Sequence, residues 1–153
     1  MPAADLRSWI DELRRAGELH EIEAEVDPYL EVTEIVDRTV KGGGPALLFK
    51  NPKGAEHSLL ANQFGTERRM AMAFGEPSLD AVGQKLGDVL EMQPPQGIVE
   101  KVKGLGKLKR LADSMPKTVR SGPVQDVVLE PDLDLLPIQH CWPGDPAPFV
   151  TLP

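Results

Sequence analysis

The sequence predicts an α/β protein with a small mixed sheet and several helices, followed by the opening of an all-β element. Between residues 5 and 62, segments with helical periodicity alternate with short strand-like segments, as in α/β domains. The pattern changes at Pro116, and residues 124–129 then read as a strand. We place the boundary near Ser121, which gives an N-terminal α/β domain over residues 1–120 and a second region over residues 121–153.

Composition places the chain among soluble globular proteins. Of its 153 residues, 41% are hydrophobic and 27% charged, and no apolar run approaches the ~20 residues of a membrane span. A net charge of −7 argues against general nucleic-acid binding, which needs a basic surface. A single cysteine and an N-terminus unlike a secretory signal lead us to expect a cytoplasmic protein.

The first elements alternate in type. Leu6, Trp9, Ile10 and Leu13 follow helical spacing, with Asp5 as N-cap and Gly17 beyond the end. In residues 21–26 glutamates alternate with Ile22, Ala24 and Val26, which predicts a strand with one wet face. Asp27 and Pro28 then resemble the N-cap and first residue of a second helix, with an inward face formed by Val32, Ile35, Val36 and Val40.

A hairpin and two further helices are predicted next. Residues 45–49 and 58–62 are the two strands, joined by a turn over residues 51–54. Thr66 is a candidate N-cap for a short helix, and Ser78 for a longer one. The longer helix has an apolar face that we expect to point inward, formed by Leu79, Val82, Leu86, Val89 and Leu90. Residues 93–97 are a linker, and residues 131–134 a turn.

Two patterns invite a binding-site interpretation without supporting it. Gly42, Gly43 and Gly44 follow a helix and precede a strand, whereas a phosphate loop runs from strand to helix, so a helix C-cap is the better interpretation. Glu130, Asp132 and Asp134 lie close together but lack the glycine and distal glutamate of a calcium loop, which favours a solvated turn.

The proline-rich segment from Leu136 to Thr151 gathers the rare residues of the chain. It contains His140 and Cys141, the only cysteine, but neighbouring residues of an extended segment point to opposite faces and do not share a metal easily. No Cys-x-x-Cys or His-x-x-x-His spacing supports zinc. We therefore expect a buried thiol rather than a nucleophile, and a rigid joint rather than a catalytic site.

The motifs of the chain resemble, in order, those of the UbiD family of decarboxylases. The similar stretches are Gly17-Glu18-Leu19, Val26-Asp27-Pro28, residues 31–38, residues 43–54, Asn62-Gln63-Phe64-Gly65-Thr66, Pro94-Pro95, Met115-Pro116-Lys117, and Leu136 to Asp145. The tryptophan-proline pattern most resembles the branch that acts on 4-hydroxy-3-polyprenylbenzoate in ubiquinone biosynthesis.

The resemblance implies an oligomeric parent decarboxylase that carries prenylated FMN with Mn²⁺ and K⁺. In such enzymes the cofactor supplies the electron sink, and the protein supplies positioning and a proton. It also implies that residues 121–153 are the first strands of a flavin-reductase-like split β-barrel, truncated here. The family's metal ligands, cofactor segment and proton donor match no position in this chain. We therefore assign no catalytic, cofactor-binding or metal-ligating residue to it.

Two functions follow as expectations. The first is the N-terminal part of a carboxy-lyase that removes CO₂ from 4-hydroxy-3-polyprenylbenzoate, inactive as the isolated chain. The alternative is a free-standing interaction module that binds a protein partner or a membrane surface. Its contact would be the basic stretch from Lys101 to Arg120, which holds seven bases against one acid.

Overall fold

The structure is a computed structural model that describes residues 3–90, 115–116 and 118–148. Within these residues it is a mixed α/β fold, as predicted from the sequence. The elements in order are α1 (Leu6–Arg15), β1 (Leu19–Val26), α2 (Glu31–Lys41), β2 (Ala46–Pro52), β3 (Leu59–Ala61), α3 (Glu67–Ala73) and α4 (Leu79–Leu90).

Helix α1 has the predicted start. The Asp5 side chain accepts from the Ser8 N–H at 2.8 Å, and the Ser8 hydroxyl accepts from the Asp5 N–H at 3.1 Å. This reciprocal pair forms a capping box that satisfies two backbone donors at the helix end. The apolar face of α1 buries Trp9 and Leu13, so the helical periodicity is confirmed.

The three strands form one mixed sheet in the order β1-β2-β3. Strand β1 pairs with β2 in parallel, and α2 makes the crossover between them. Strand β2 pairs with β3 in antiparallel fashion, which confirms the predicted hairpin. Asn51 and Pro52, predicted as part of the turn, instead belong to β2, because β1 continues alongside them.

Strand β1 departs from the predicted alternation at its centre. Its register with β2 shifts between Ile22 and Glu25, where two residues of β1 oppose one residue of β2. As a result Ala24, predicted to face inward, is exposed, while Val26 returns to the core. Ile22 and Val26 nevertheless pack in the same core cluster, so the predicted alternation fails only at the irregularity itself.

Helix α2 begins later than predicted. Its first residue is Glu31 and its N-cap is Leu30, so Asp27 and Pro28 are not the N-cap and first helical residue. The helix buries Val32, whereas Val40 is exposed, contrary to the expected inward face. The glycine stop is confirmed, since Gly42 is the C-cap.

The core lies on both faces of β2, the central strand. Leu47 and Phe49 point to one face and pack with Val26 and Val32. Ala46 points to the other face, where it packs with Trp9 and Leu13 of α1. Successive residues of a strand point to opposite faces, so one short strand supports both clusters. Accordingly, five of the seven residues of β2 are buried.

Helix α4 does not bury the predicted face. Ser78 accepts from the Ala81 N–H at 3.2 Å, as expected of a cap. Leu86, Val89 and Leu90 are nevertheless exposed, and Leu90 is 85% accessible. The apolar spacing of a helix predicts which residues share a face, but it does not predict whether another element packs against that face.

The predicted strand over residues 124–129 is absent from the structure. A 3₁₀ helix at Pro123–Gln125 occupies its start, and Val124 is 91% exposed. A strand needs a neighbour for its main-chain groups, and in the described part of the chain none lies alongside. The predicted turn near residues 131–134 is present as a 3₁₀ helix at Leu133–Leu135 capped by Asp132.

The chain divides into two compact units. One consists of residues 1–84 together with residues 131–153, and the other of residues 85–130. The linker over residues 93–97 and the bases between Lys101 and Arg110 lie outside the described residues. None of the described helices is long and apolar enough to cross a membrane.

Candidate functional site

A buried arginine organises the polar interior of the first unit. Arg69 of α3 is only 1% exposed, and its Nη1 donates to Glu18 Oε2 at 2.9 Å. Its Nη2 donates to the Gly44 carbonyl at 3.1 Å. Arg68 contacts the other oxygen of Glu18 at 2.8 Å from the solvent side. A buried charge is costly unless it is paired, so the Glu18 carboxylate and the Gly44 carbonyl are needed to stabilise the buried Arg69 guanidinium.

Asn62 joins this arginine to the hairpin. It adopts a positive φ of 55°, and its Nδ2 donates to the carbonyls of Gly44 and Pro45 at 3.2 and 2.8 Å. Gly65 packs so closely that an added Cβ would lie 1.7 Å from Asn62 Oδ1. Asn62, Gly65, Arg69 and Glu18 therefore form one cluster around the Gly44 carbonyl, which we call the Arg69 cluster.

Sequence analysis identified the Asn62–Thr66 motif but missed Arg69. The available indication was two consecutive arginines in a short helix whose other residues are Glu, Met and Ala. Neighbouring residues of a helix point in different directions, so this pattern alone does not state which of the two arginines is buried. Which acid pairs with that arginine is a long-range fact, since Glu18 lies 51 residues away in sequence.

The ion pairs on β1 keep their members charged. Glu21 contacts Lys50 and Arg14, and these hydrogen bonds lower the pKa of its carboxyl. The Lys53 ammonium, 2.8 Å from Asp27, lowers the pKa of that carboxyl, with help from the Tyr29 N–H. A general acid at neutral pH needs a raised carboxyl pKa, so these acids are suited to structural pairing rather than to proton donation.

A shallow cleft lies beside the end of β2. Its volume is about 680 Å³, and it is open to solvent. Lys50 is the only cation among the described residues that line the cleft, and it already pairs with Glu21 at 2.9 Å. The lining residues are Glu25, Lys50, Asn51, Pro52, Gly54, Ala55 and Glu56. With two acids and a lysine that is already paired, the cleft is not electrostatically complementary to an acidic substrate.

The turn between β1 and α2 receives a segment from far along the chain. We call residues 138–142 the strap. Leu30 N donates to the His140 carbonyl at 2.9 Å, and His140 N donates to the Pro28 carbonyl at 3.2 Å. The rings of Tyr29 and His140 lie 4.7 Å apart. Main-chain bonds in both directions fix where the proline-rich segment crosses the turn between β1 and α2.

The structure places the other sequence candidates apart from one another. Gly42 and Gly43 end α2, and Gly43 has the left-handed φ of 64° that favours glycine there, which supports the C-cap interpretation. His140 contacts the turn through its main chain, and its buried Nε2 has no hydrogen-bond partner among the described residues. Cys141 is a half-buried free thiol.

The acidic candidates also have structural roles. Asp132 caps a 3₁₀ helix by accepting from the Asp134 N–H at 3.0 Å, and Glu130, Asp132 and Asp134 are all exposed. Among the described residues, no three His, Cys, Asp or Glu side chains gather as a metal site would require.

Two sequence models of one protein family match the chain. The 3-octaprenyl-4-hydroxybenzoate carboxy-lyase N-terminal domain matches residues 10–88, which is more than half of the chain. The Rift-related domain of the same carboxy-lyase matches residues 117–153. The contact between Tyr29 and His140 therefore joins a residue matched by the first model to a residue matched by the second.

Solved structures of UbiD-class enzymes share the fold. An evolved dimeric form of HmfF from Pelotomaculum thermopropionicum, in complex with prFMN, is 24% identical with a TM-score of 0.59 and covers 94% of this chain and 29% of its own. The structure of HmfF in complex with FMN is also 24% identical with a TM-score of 0.59, and the match covers 94% of this chain and 28% of that one. Vanillic acid decarboxylase from Sedimentibacter hydroxybenzoicus, in open form, is 23% identical with a TM-score of 0.54, covering 62% and 21%. The chain spans less than a third of the length of these proteins.

Proposed function

Because this chain belongs to the UbiD family of carboxy-lyases, we propose that it is the N-terminal portion of a longer non-oxidative decarboxylase that releases CO₂ from an aromatic acid. One observation carries the proposal: the N-terminal and Rift-related domains of the carboxy-lyase match in that order, over residues 10–88 and 117–153. The fold shared with HmfF and vanillic acid decarboxylase supports it.

The proposed substrate is 4-hydroxy-3-polyprenylbenzoate, on the route to ubiquinone. The resemblance of the segment from Leu136 to Asp145 to that branch supports this choice. The description of the matching family, a carboxy-lyase for 3-octaprenyl-4-hydroxybenzoate, supports it too. We expect every substrate of the longer protein to contain the hydroxybenzoate ring and its carboxylate. The polyprenyl tail would add apolar contact area with the protein.

The proposed cofactor is prenylated FMN, with Mn²⁺ and K⁺. Solved HmfF structures hold prFMN or FMN, which supports the flavin. When bound, the flavin would supply the electron sink for decarboxylation. The described residues of this chain do not fit as the metal site, since no three ligating side chains gather among them. The family resemblance implies that the metal ligands, the flavin-binding residues and the proton donor lie in the remainder of the longer protein, and we assign them there.

The chain's own contribution is structural in this proposal. The Arg69 cluster fastens α3 to the hairpin, and the strap contact at Tyr29 and Leu30 fixes where residues 138–142 cross the α/β domain. A segment held at its entrance directs whatever follows it, so these residues would position the Rift-related region relative to the sheet. Positioning of this kind affects catalysis strongly when a misplacement reaches the reacting groups.

We place the enzyme in the cytoplasm as a homo-oligomer with peripheral membrane contact. The bases between Lys101 and Arg120 support the membrane contact, because basic segments with interspersed leucines bind anionic lipid surfaces. Sedimentation with vesicles of 30% phosphatidylserine, compared with neutral vesicles, tests it. Binding that survives charge reversal at Lys107, Lys109 and Arg110 would show that another surface makes the contact.

The decarboxylase proposal is tested with the longer protein reconstituted with prenylated FMN. Carboxyl-labelled 4-hydroxy-3-polyprenylbenzoate and vanillic acid are supplied separately, and released CO₂ is counted. We expect release from the polyprenyl substrate, and none from protein that lacks the flavin. Release from vanillic acid alone would overturn the substrate, and release from neither acid by flavin-loaded protein would overturn the proposed reaction.

A further inference from the structure

The start of α2 conflicts with its own sequence. Asp27 and Pro28 are the residues that open helices most readily, yet the helix begins only at Glu31. Leu30, which immediately precedes the helix, adopts φ 65° and ψ −37°, and Glu31 N donates to the Tyr29 carbonyl at 2.8 Å. This is a γ turn centred on a leucine, a strained conformation that a branched side chain rarely adopts.

One bond of the missing helical turn is already made, and two others lie one residue out of register. Asp27 Oδ1 accepts from the Tyr29 N–H at 2.9 Å, as an N-cap does. Glu31 Oε2 accepts from the Asp27 N–H at 2.8 Å, which is the reciprocal half of a capping box displaced by one residue. Val32 N donates to the Asp27 carbonyl at 3.2 Å, one residue further back than an α-helix would use.

The strap occupies the groups that would complete that turn. In a helix starting at Pro28, the Pro28 carbonyl accepts from the Val32 N–H, but here it accepts from His140 N at 3.2 Å. The Leu30 N–H would point toward the Asp27 cap, but here it donates to the His140 carbonyl at 2.9 Å. Both arrangements therefore use the Pro28 carbonyl, and Leu30 must leave its left-handed φ of 65° for the helix to extend to Pro28.

We propose that strap docking and the first turn of α2 are mutually exclusive, so that the two form a conformational switch. With the strap docked, α2 starts at Glu31 and Leu30 holds the γ turn. With the strap released, Leu30 relaxes, the Pro28 carbonyl accepts from Val32 N, and α2 extends to Pro28 under the Asp27 cap. The switch sets whether residues 138–142 are tied to the α/β domain, and it does not depend on the proposed decarboxylase activity.

The His140→Pro variant of the full chain tests the switch, because proline removes the N–H that the strap donates. The matched control is Gln139→Pro, since the Gln139 N–H donates to no described acceptor. Cα chemical shifts of Tyr29 and Leu30 report helix formation. We expect non-helical shifts in the wild type and in Gln139→Pro, and helical shifts in His140→Pro. Non-helical shifts in His140→Pro with an intact sheet would overturn the proposal.

Leu30→Gly tests the same switch from the opposite side without disturbing the strap. Glycine accepts the positive φ freely and weakens a helix, so both effects favour docking. Amide exchange at His140 should slow by about three- to tenfold relative to the wild type, in step with exchange at residue 30. Faster exchange at His140, or exchange at residues 30 and 140 that changes independently, would refute the coupling.

Discussion

At the scale of single residues, Arg69 dominates the interior of the α/β domain. Among the described residues it is the one charged side chain that is fully buried, and its partners are Glu18 and the Gly44 carbonyl. These three groups come from α3, the end of the α1–β1 connection and the α2–β2 connection. One side chain thus connects three parts of the fold, so its loss should destabilise the whole domain.

Replacing Arg69 by Met should lower the free energy of unfolding by about 3–5 kcal/mol, because the change leaves Glu18 partly buried without its inner partner. Urea denaturation measures the change. The matched control is Arg68→Met, which removes the other cation of the same carboxylate. The Arg68 side chain is 66% exposed, so its loss should cost about 1 kcal/mol or less. Equal costs for the two variants would contradict the role assigned to burial.

Asp27 gives the domain a defined acid dependence. Lys53 and the Tyr29 N–H lower the pKa of its carboxyl in the folded state, so the folded state binds a proton less readily than the unfolded chain does. The stability from this group is therefore present above the unfolded pKa of about 3.9 and is lost as pH falls through the folded value.

The comparison of wild type with Asp27→Asn isolates this effect. Asparagine keeps an oxygen for the Tyr29 N–H but removes the charge opposite Lys53. The difference in free energy of unfolding should be largest near pH 6–7 and should shrink below about pH 4. Urea titrations at a series of pH values measure it. A difference that stays constant between pH 7 and pH 3 would contradict the sign.

At the scale of elements, α1 shows how far local sequence determines structure. Its N-cap, apolar spacing and end could all be predicted, because each depends on residues within a few positions of one another. Asp5→Ala should lower the free energy of unfolding by about 1 kcal/mol, since the Ser8 N–H loses the side-chain acceptor that caps the helix. Asp5→Asn should retain most of the stability. Equal losses in both variants, measured by thermal unfolding, would argue against the cap.

Helix α2 and residues 124–129 show where local sequence fails, each for a different physical reason. The Asp27-Pro28 start was a sound local prediction that a distant segment overrides, since His140 lies more than a hundred residues from the turn it contacts. Residues 124–129 have strand-like composition, but a strand is a property of a pair. Neither outcome can be read from spacing, because both depend on what lies alongside in space.

At the scale of the whole molecule, family and fold class were predictable, and the polar interior was not. The order of motifs from Gly17-Glu18-Leu19 to Asp145 predicted the family that the two matching domains establish. The α/β class followed from alternating periodicities. The Glu18–Arg69 pair and the strap contact at Leu30 could not be predicted, since both join residues brought together only by the folded chain. The split barrel remains a prediction.

The most direct test compares decarboxylation by this chain with decarboxylation by the longer protein. Both receive prenylated FMN and carboxyl-labelled 4-hydroxy-3-polyprenylbenzoate, and the comparison distinguishes a structural role of the chain from a catalytic one. If the chain is a positioning domain, the longer protein releases labelled CO₂, and the chain at equal concentration releases no more than flavin in buffer. Release of CO₂ by the chain itself, above that background, would contradict the assignment of the catalytic groups to the remainder of the protein.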